Sequence, residues 1–200
     1  MIECFFDCSS PWTWLAFHRL RPMAAELGVP VTWRPILVGG VFNAVNPSVY
    51  EFRDKGVPAK KAYAGKDLED WARHEGLEIL WPPSVFPVNS VKAMRACIWL
   101  APQGRLEDFA AEAFRRYWSE DQDISQDAVL AGIATDLGLD PAALLEGIQQ
   151  PTVKAELKAN TDELIARGGF GSPTIYVGGD DMYFGNDRLP LVRAAVLRRR

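Results

Sequence analysis

The 200 residues carry a formal net charge of −4 and a pI near 5.3, a balance that offers phosphate backbones and anionic membranes no general attraction. Hydrophobic residues make up 48% of the chain, enough for a sizeable core in one domain or in a small domain carrying an insertion. No apolar run is long enough to cross a bilayer and no basic leader precedes the first strand, so a cytoplasmic protein without nucleic-acid or membrane partners is expected.

Cys4, Cys8 and Cys97 are too few and too scattered for a disulfide framework. Cys4 and Cys97 read as small core hydrophobes; Cys8 lies nearer to the chemistry considered below, with a packing role still expected. His18 and His74 are the only histidines, and without a clustered ligand set no metal site is expected.

In chain order, Ile2 to Phe6 reads as a short buried strand. Ser10 is a good helix N-cap and Pro11 a good first helical residue, because proline lacks the N–H that would be orphaned there. The helix over 11–27 leaves free N–H groups and a partial positive charge at its tip, a natural anion site. Pro22 predicts a kink and Gly28 an end. Val29 to Ile36 resumes a strand pattern, so the opening is a βαβ unit with a right-handed crossover.

Residues 37–58, punctuated by Asn43, Asn46 and Pro47, read as a loop. Helices are predicted near 59–76, 89–101, 105–119, 126–137, 141–148 and 151–167, bounded by proline and glycine. The run Thr174 to Val177, a Gly178-Gly179 turn and Met182 to Phe184 predict an antiparallel hairpin. Asn186 or Asp187 is expected to cap a last helix over 188–198. This order is that of an α/β thioredoxin-like domain, built from 1–45 and 168–200, with an all-α insertion over 46–167.

Phe6-Asp7-x-x-Ser10-Pro11-Trp12-x-Trp14-Leu15-Ala16, Phe86-Pro87-x-Asn89, Gly171-x-Pro173-Thr174 and Gly185-Asn186-Asp187-Arg188-Leu189 together resemble the 2-hydroxychromene-2-carboxylate isomerase family. That family is similar to kappa-class glutathione transferases and, more remotely, to the DsbA thiol oxidoreductases. Where the redox relatives carry Cys-x-x-Cys, this chain has Ser10-Pro11-Trp12-Thr13, so dithiol exchange through the motif is excluded.

The resemblance implies that Ser10 holds the sulfur of bound glutathione. A thiolate there would receive a hydroxyl hydrogen bond of roughly 1.5–3 kcal/mol and a helix-tip field of ~0.3–1 kcal/mol. Together these lower a thiol pKa by roughly one to three pH units before desolvation is counted. A serine hydrolase is disfavoured, because His18 lies ~12 Å along the same helix and His74 falls on a charged helix.

By the same resemblance, Ser172 and Pro173 are the residue before a cis-proline and the cis-proline itself, presenting backbone groups to a peptide. Asn186 and Asp187 match positions that bind the γ-glutamyl end, and Lys60 and Asn46 match further glutathione contacts, with Lys61 as a rival for Lys60. Trp12 and Phe86 are expected to line a pocket for a small aromatic substrate, with Asn89 as a polar contact. The implied activity is a glutathione-dependent isomerisation by reversible thiolate addition. A kappa-like transferase and a non-catalytic peptide-binding module are the alternatives, and the resembling enzymes imply a homodimer.

Overall fold

The computed structural model describes residues 1–199. Strand β1 (Ile2–Phe6) leads through helix α1 (Pro11–Glu26) to strand β2 (Val31–Pro35), which lies parallel to β1. Near the other end, β3 (Thr174–Val177) and β4 (Asp181–Phe184) form a hairpin. Gly178 and Gly179 turn it with φ of 68° and 105°, values that side chains with a Cβ resist. β3 pairs antiparallel with β1, giving the sheet order β2-β1-β3-β4.

β1 therefore sits inside the sheet with both faces covered, which explains its nearly continuous apolar sequence. Ile2, Cys4 and Phe6 point into the large core shared with Phe17, Phe114 and Val177, while Phe5 points the other way to meet Ile36, Val41 and Tyr176. This alternation follows the two-residue period of a strand. Each buried phenylalanine contributes about 1.5–3 kcal/mol.

Between the strands the chain is helical. The expected loop over 37–58 instead contains α2 (Val38–Val45) and α3 (Ser48–Lys55). Tertiary partners start α2: the Val38 N–H donates to Asp7 Oδ2 at 2.8 Å and the Leu37 N–H to Thr161 Oγ1 at 3.0 Å. These bonds satisfy donors that a local side-chain cap would otherwise take. α3 buries none of its residues, so no core-facing apolar stripe marks it in the sequence.

There follow α4 (Pro58–Glu75), α5 (Val91–Leu100), α6 (Leu106–Trp118), α7 (Asp127–Asp136), α8 (Pro141–Gly147) and α9 (Pro151–Ala166). α6 carries Phe109, Phe114, Tyr117 and Trp118, all essentially buried, in the same core as β1 and α1.

The last helix, α10 (Leu189–Arg198), is not capped by Asn186 or Asp187. Gly185, at φ 101°, turns the chain into a 3-10 turn over Asn186–Arg188, which displaces both residues upstream of the helix start. Pro190 in the first turn of α10 then removes one orphan N–H. Among the described residues no helix is long and apolar enough to cross a membrane.

Candidate active site

At the C-terminal end of β1 the chain makes a tight turn, Ser10 N–H donating to the Asp7 carbonyl at 3.2 Å. Ser10 is extended, with φ −110° and ψ 121°, and its Oγ accepts the Thr13 N–H at 3.2 Å. This is the geometry of a helix N-cap. The same hydroxyl donates to the Ser172 carbonyl at 3.3 Å, bringing the tip of α1 against the segment that enters β3. The Ser172–Pro173 peptide bond is cis.

A second hydroxyl pair joins these segments: Thr13 Oγ1 and Ser172 Oγ lie 2.7 Å apart, and Ser172 Oγ accepts the Asp7 N–H at 3.1 Å. Two backbone donors at this junction, the N–H groups of Trp12 and Ser172, have no hydrogen-bond partner among the described residues. Both residues line one cavity, so the site has donors to offer an anion or a peptide.

The cavity has a volume of about 950 Å³. Asp7, Ser9, Ser10, Trp12 and Ser172 lie along it together with Phe42, Phe52, Trp81, Phe86 and Phe184. The rings of Trp81 and Phe86 meet edge to face, 4.9 Å between centroids, and Trp81 stacks on the buried Trp118. Such a lining accepts a flat apolar body and leaves orientation to a few polar groups.

Asp7, which the sequence reading passed over as a site residue, is fully buried. Its oxygens accept from Ser9 N–H at 2.9 Å and Val38 N–H at 2.8 Å. Burial pushes its carboxyl pKa up, opposed by hydrogen bonds from Ser9, Val38 and Ser90. Asp7 thus ties the turn before α1 to the starts of α2 and α5. The only sequence signal would have been an acid at the end of an otherwise apolar strand.

The remaining expected residues divide. Asn46 and Asn89 line the cavity, but Asn46 bridges the Phe170 carbonyl and the Ser48 hydroxyl, and Asn89 Oδ1 accepts the Val91 N–H at 3.1 Å. Lys60 is exposed and off the cavity; its neighbour Lys61 lines it. One residue is about 100° of helix rotation, enough to turn Lys60 away. Pro173, Asn186 and Asp187 lie outside the cavity lining, although Gly185 N–H donates to the Pro173 carbonyl at 3.1 Å, so the 3-10 turn sits beside the cis-proline. The Asp187 carboxylate pairs with Arg188.

All three cysteines are free and buried. Burial, together with neighbouring Cys97 and Asp7, pushes the Cys8 thiol well up. Among the described residues no group of three or more His, Cys, Asp or Glu side chains is placed to hold a metal ion.

The DSBA-like thioredoxin domain model matches residues 1–197. The chain is 30% identical to a 2-hydroxychromene-2-carboxylate isomerase of Sphingobium xenophagum, over 98% of this chain and 97% of that protein. It is 29% identical to human glutathione S-transferase kappa 1, over 96% and 88%. A solved structure of a 2-hydroxychromene-2-carboxylate isomerase superposes with a TM-score of 0.84 at 25% identity, covering 98% of this chain and 94% of that one.

Proposed function

Because the chain belongs to the DSBA-like thioredoxin domain family, and its relatives include isomerases and kappa-class glutathione transferases, we propose that it is a glutathione-dependent isomerase. Its substrates are flat aromatic acids of the 2-hydroxychromene-2-carboxylate type and their ring-opened pyruvate forms. One observation carries this reading: where thiol oxidoreductases have a cysteine, the capped tip of α1 presents a serine hydroxyl and the free Trp12 N–H to an aromatic-walled cavity.

The residues fit glutathione in kind. The unpaired Ser172 N–H beside the cis-proline is a backbone donor for a peptide. Asp187 offers a carboxylate to the γ-glutamyl ammonium, Asn186 an amide beside it, and Lys61 and Asn46 sit on the cavity side. When bound, glutathione would supply a thiolate able to add reversibly to a conjugated aromatic pyruvate. The protein's part is to hold that sulfur as an anion with the Ser10 hydroxyl and the α1 tip, and to hold the acceptor ring between aromatic walls.

Incubation with glutathione and 2-hydroxychromene-2-carboxylate tests the reading. A shifted absorption spectrum at unchanged substrate mass is expected. A glutathione conjugate with an aryl halide, and no isomerisation, would make the protein a transferase; no chemistry with either would leave a peptide-binding module. The reading includes a cytoplasmic location and a homodimer, the latter supported by Val45, Val57 and Tyr63, large hydrophobic residues that are exposed and lie off the cavity lining.

A further inference from the structure

The aromatic cavity contains one guanidinium that the folded chain does not use. Arg53, on α3, lines the cavity and lies over two of its rings, 5.9 Å from the centroid of Phe42 and 5.2 Å from that of Phe86. Among the described residues it makes no ion pair, and its N–H groups have no hydrogen-bond partner, in a chain whose other arginines largely do pair. The neighbouring cation is differently committed: Lys61 Nζ donates to the carbonyls of Arg53 and Asp54 at 2.7 and 3.3 Å. Asp7, the one acid on the cavity, is buried with its oxygens occupied by backbone N–H groups, so nothing anionic inside competes for Arg53.

We propose that Arg53 is the specificity-determining residue that recognises the carboxylate of the aromatic acceptor. A guanidinium held over aromatic rings with its N–H groups unpaired can match a carboxylate with two parallel hydrogen bonds. Phe42 and Phe86 lie beneath the guanidinium, and the aromatic walls beside it receive the acceptor's flat ring. An aromatic ring bearing an acidic group therefore meets both halves of its recognition together, whereas a neutral aryl electrophile meets only the walls. Because Arg53 belongs to a helix with no buried residue, its replacement removes the charge without opening the core.

The inference rests on the cavity being the acceptor site, and its test is run without glutathione so that it stands apart from thiolate chemistry. Benzylidenepyruvate and its methyl ester are titrated into the protein, with quenching of Trp12 and Trp81 as the readout. The wild type should bind the acid at least about tenfold more tightly than the ester, and Arg53→Gln should bring the acid to the ester's level while leaving the ester unchanged. Arg53→Lys, which keeps the charge and loses the fork, should fall between. Equal acid binding by Arg53→Gln and wild type would overturn the proposal. So would loss of glutathione affinity with acid binding retained, which would give Arg53 to the peptide, or failure of the wild type to bind either probe. A glutathione thiol that titrates normally in the complex would instead sink the isomerase reading and leave the acid-to-ester comparison intact.

Discussion

Replacing Ser10 with alanine removes a hydroxyl that serves the fold and the proposed chemistry at once, and the two losses are measurable apart. A hydroxyl bond to a thiolate contributes roughly 1.5–3 kcal/mol. Ser10 has one hydrogen to give, however, and in this structure it goes to the Ser172 carbonyl at 3.3 Å, a neutral bond worth about 1 kcal/mol that must be surrendered first. The net preference for the thiolate is then about 0.5–2 kcal/mol, so the variant should raise the bound thiol's pKa by roughly 0.4–1.5 pH units. The α1 tip remains, and its ~0.3–1 kcal/mol keeps the thiol somewhat below its free value. Independently, the Thr13 N–H loses its cap, costing typically ~1 kcal/mol and lowering the melting temperature by about 2–4 °C in a chain of this size. Ultraviolet titration of the thiolate band at saturating glutathione, beside a thermal melt, reads both. Identical titrations with a lowered melting point would leave Ser10 as a helix cap only and remove it from the chemistry.

Asp7 carries a pH signature. Burial raises its folded pKa, so the native chain keeps a proton that the unfolded chain has released, and this contribution to stability falls as pH rises from the ordinary carboxylate range to the raised value. Asp7→Asn should abolish that slope in melts run upward in pH from the ordinary carboxylate range. It should also cost about 1–3 kcal/mol, because the new amide turns a donor toward one of the N–H groups of Ser9 and Val38; parallel slopes in the two proteins would refute the assignment. Asp187→Asn should weaken glutathione about tenfold or more with little change in the ligand-free melting point, since Asp187 caps no helix and, among the described residues, its carboxylate pairs only with the adjacent Arg188. Unchanged calorimetric affinity would take Asp187 out of the site. Sedimentation at dilute concentration should give a dimer; a single 22.3 kDa species would refute the paired assembly.

The strand-helix turn at Ser10 was legible because its signals are local: a capping hydroxyl, a proline at the first helical position and an apolar run on each side. The hairpin at Gly178-Gly179 and the proline-bounded helices announced themselves in the same way. What sequence could not disclose depends on partners far along the chain. α2 starts where Asp7 and Thr161 wait for two backbone N–H groups, and nothing in Gly39-Gly40 suggests a helix. α3 has no core face to betray it. Asp7 looks like an ordinary turn acid until Val38 and Ser90 close around it, and the choice between adjacent Lys60 and Lys61 is a matter of helix phase. A capping assignment for Asn186 and Asp187 failed because the positive φ of Gly185 inserted a tighter turn first.

The sheet order β2-β1-β3-β4 has a consequence for the history of each molecule. β1 is made first and finds β2 soon afterwards, but its other edge stays unpaired until Thr174–Val177 has been synthesised. During elongation, an apolar strand with a bare row of backbone donors and acceptors is therefore exposed, the kind of edge that recruits other chains. The contacts that shape the Ser10 tip, the carbonyl and hydroxyl of Ser172, arrive on that same late segment. A nascent or C-terminally truncated chain would then be aggregation-prone as well as inactive, and competence would come in one step as the hairpin docks.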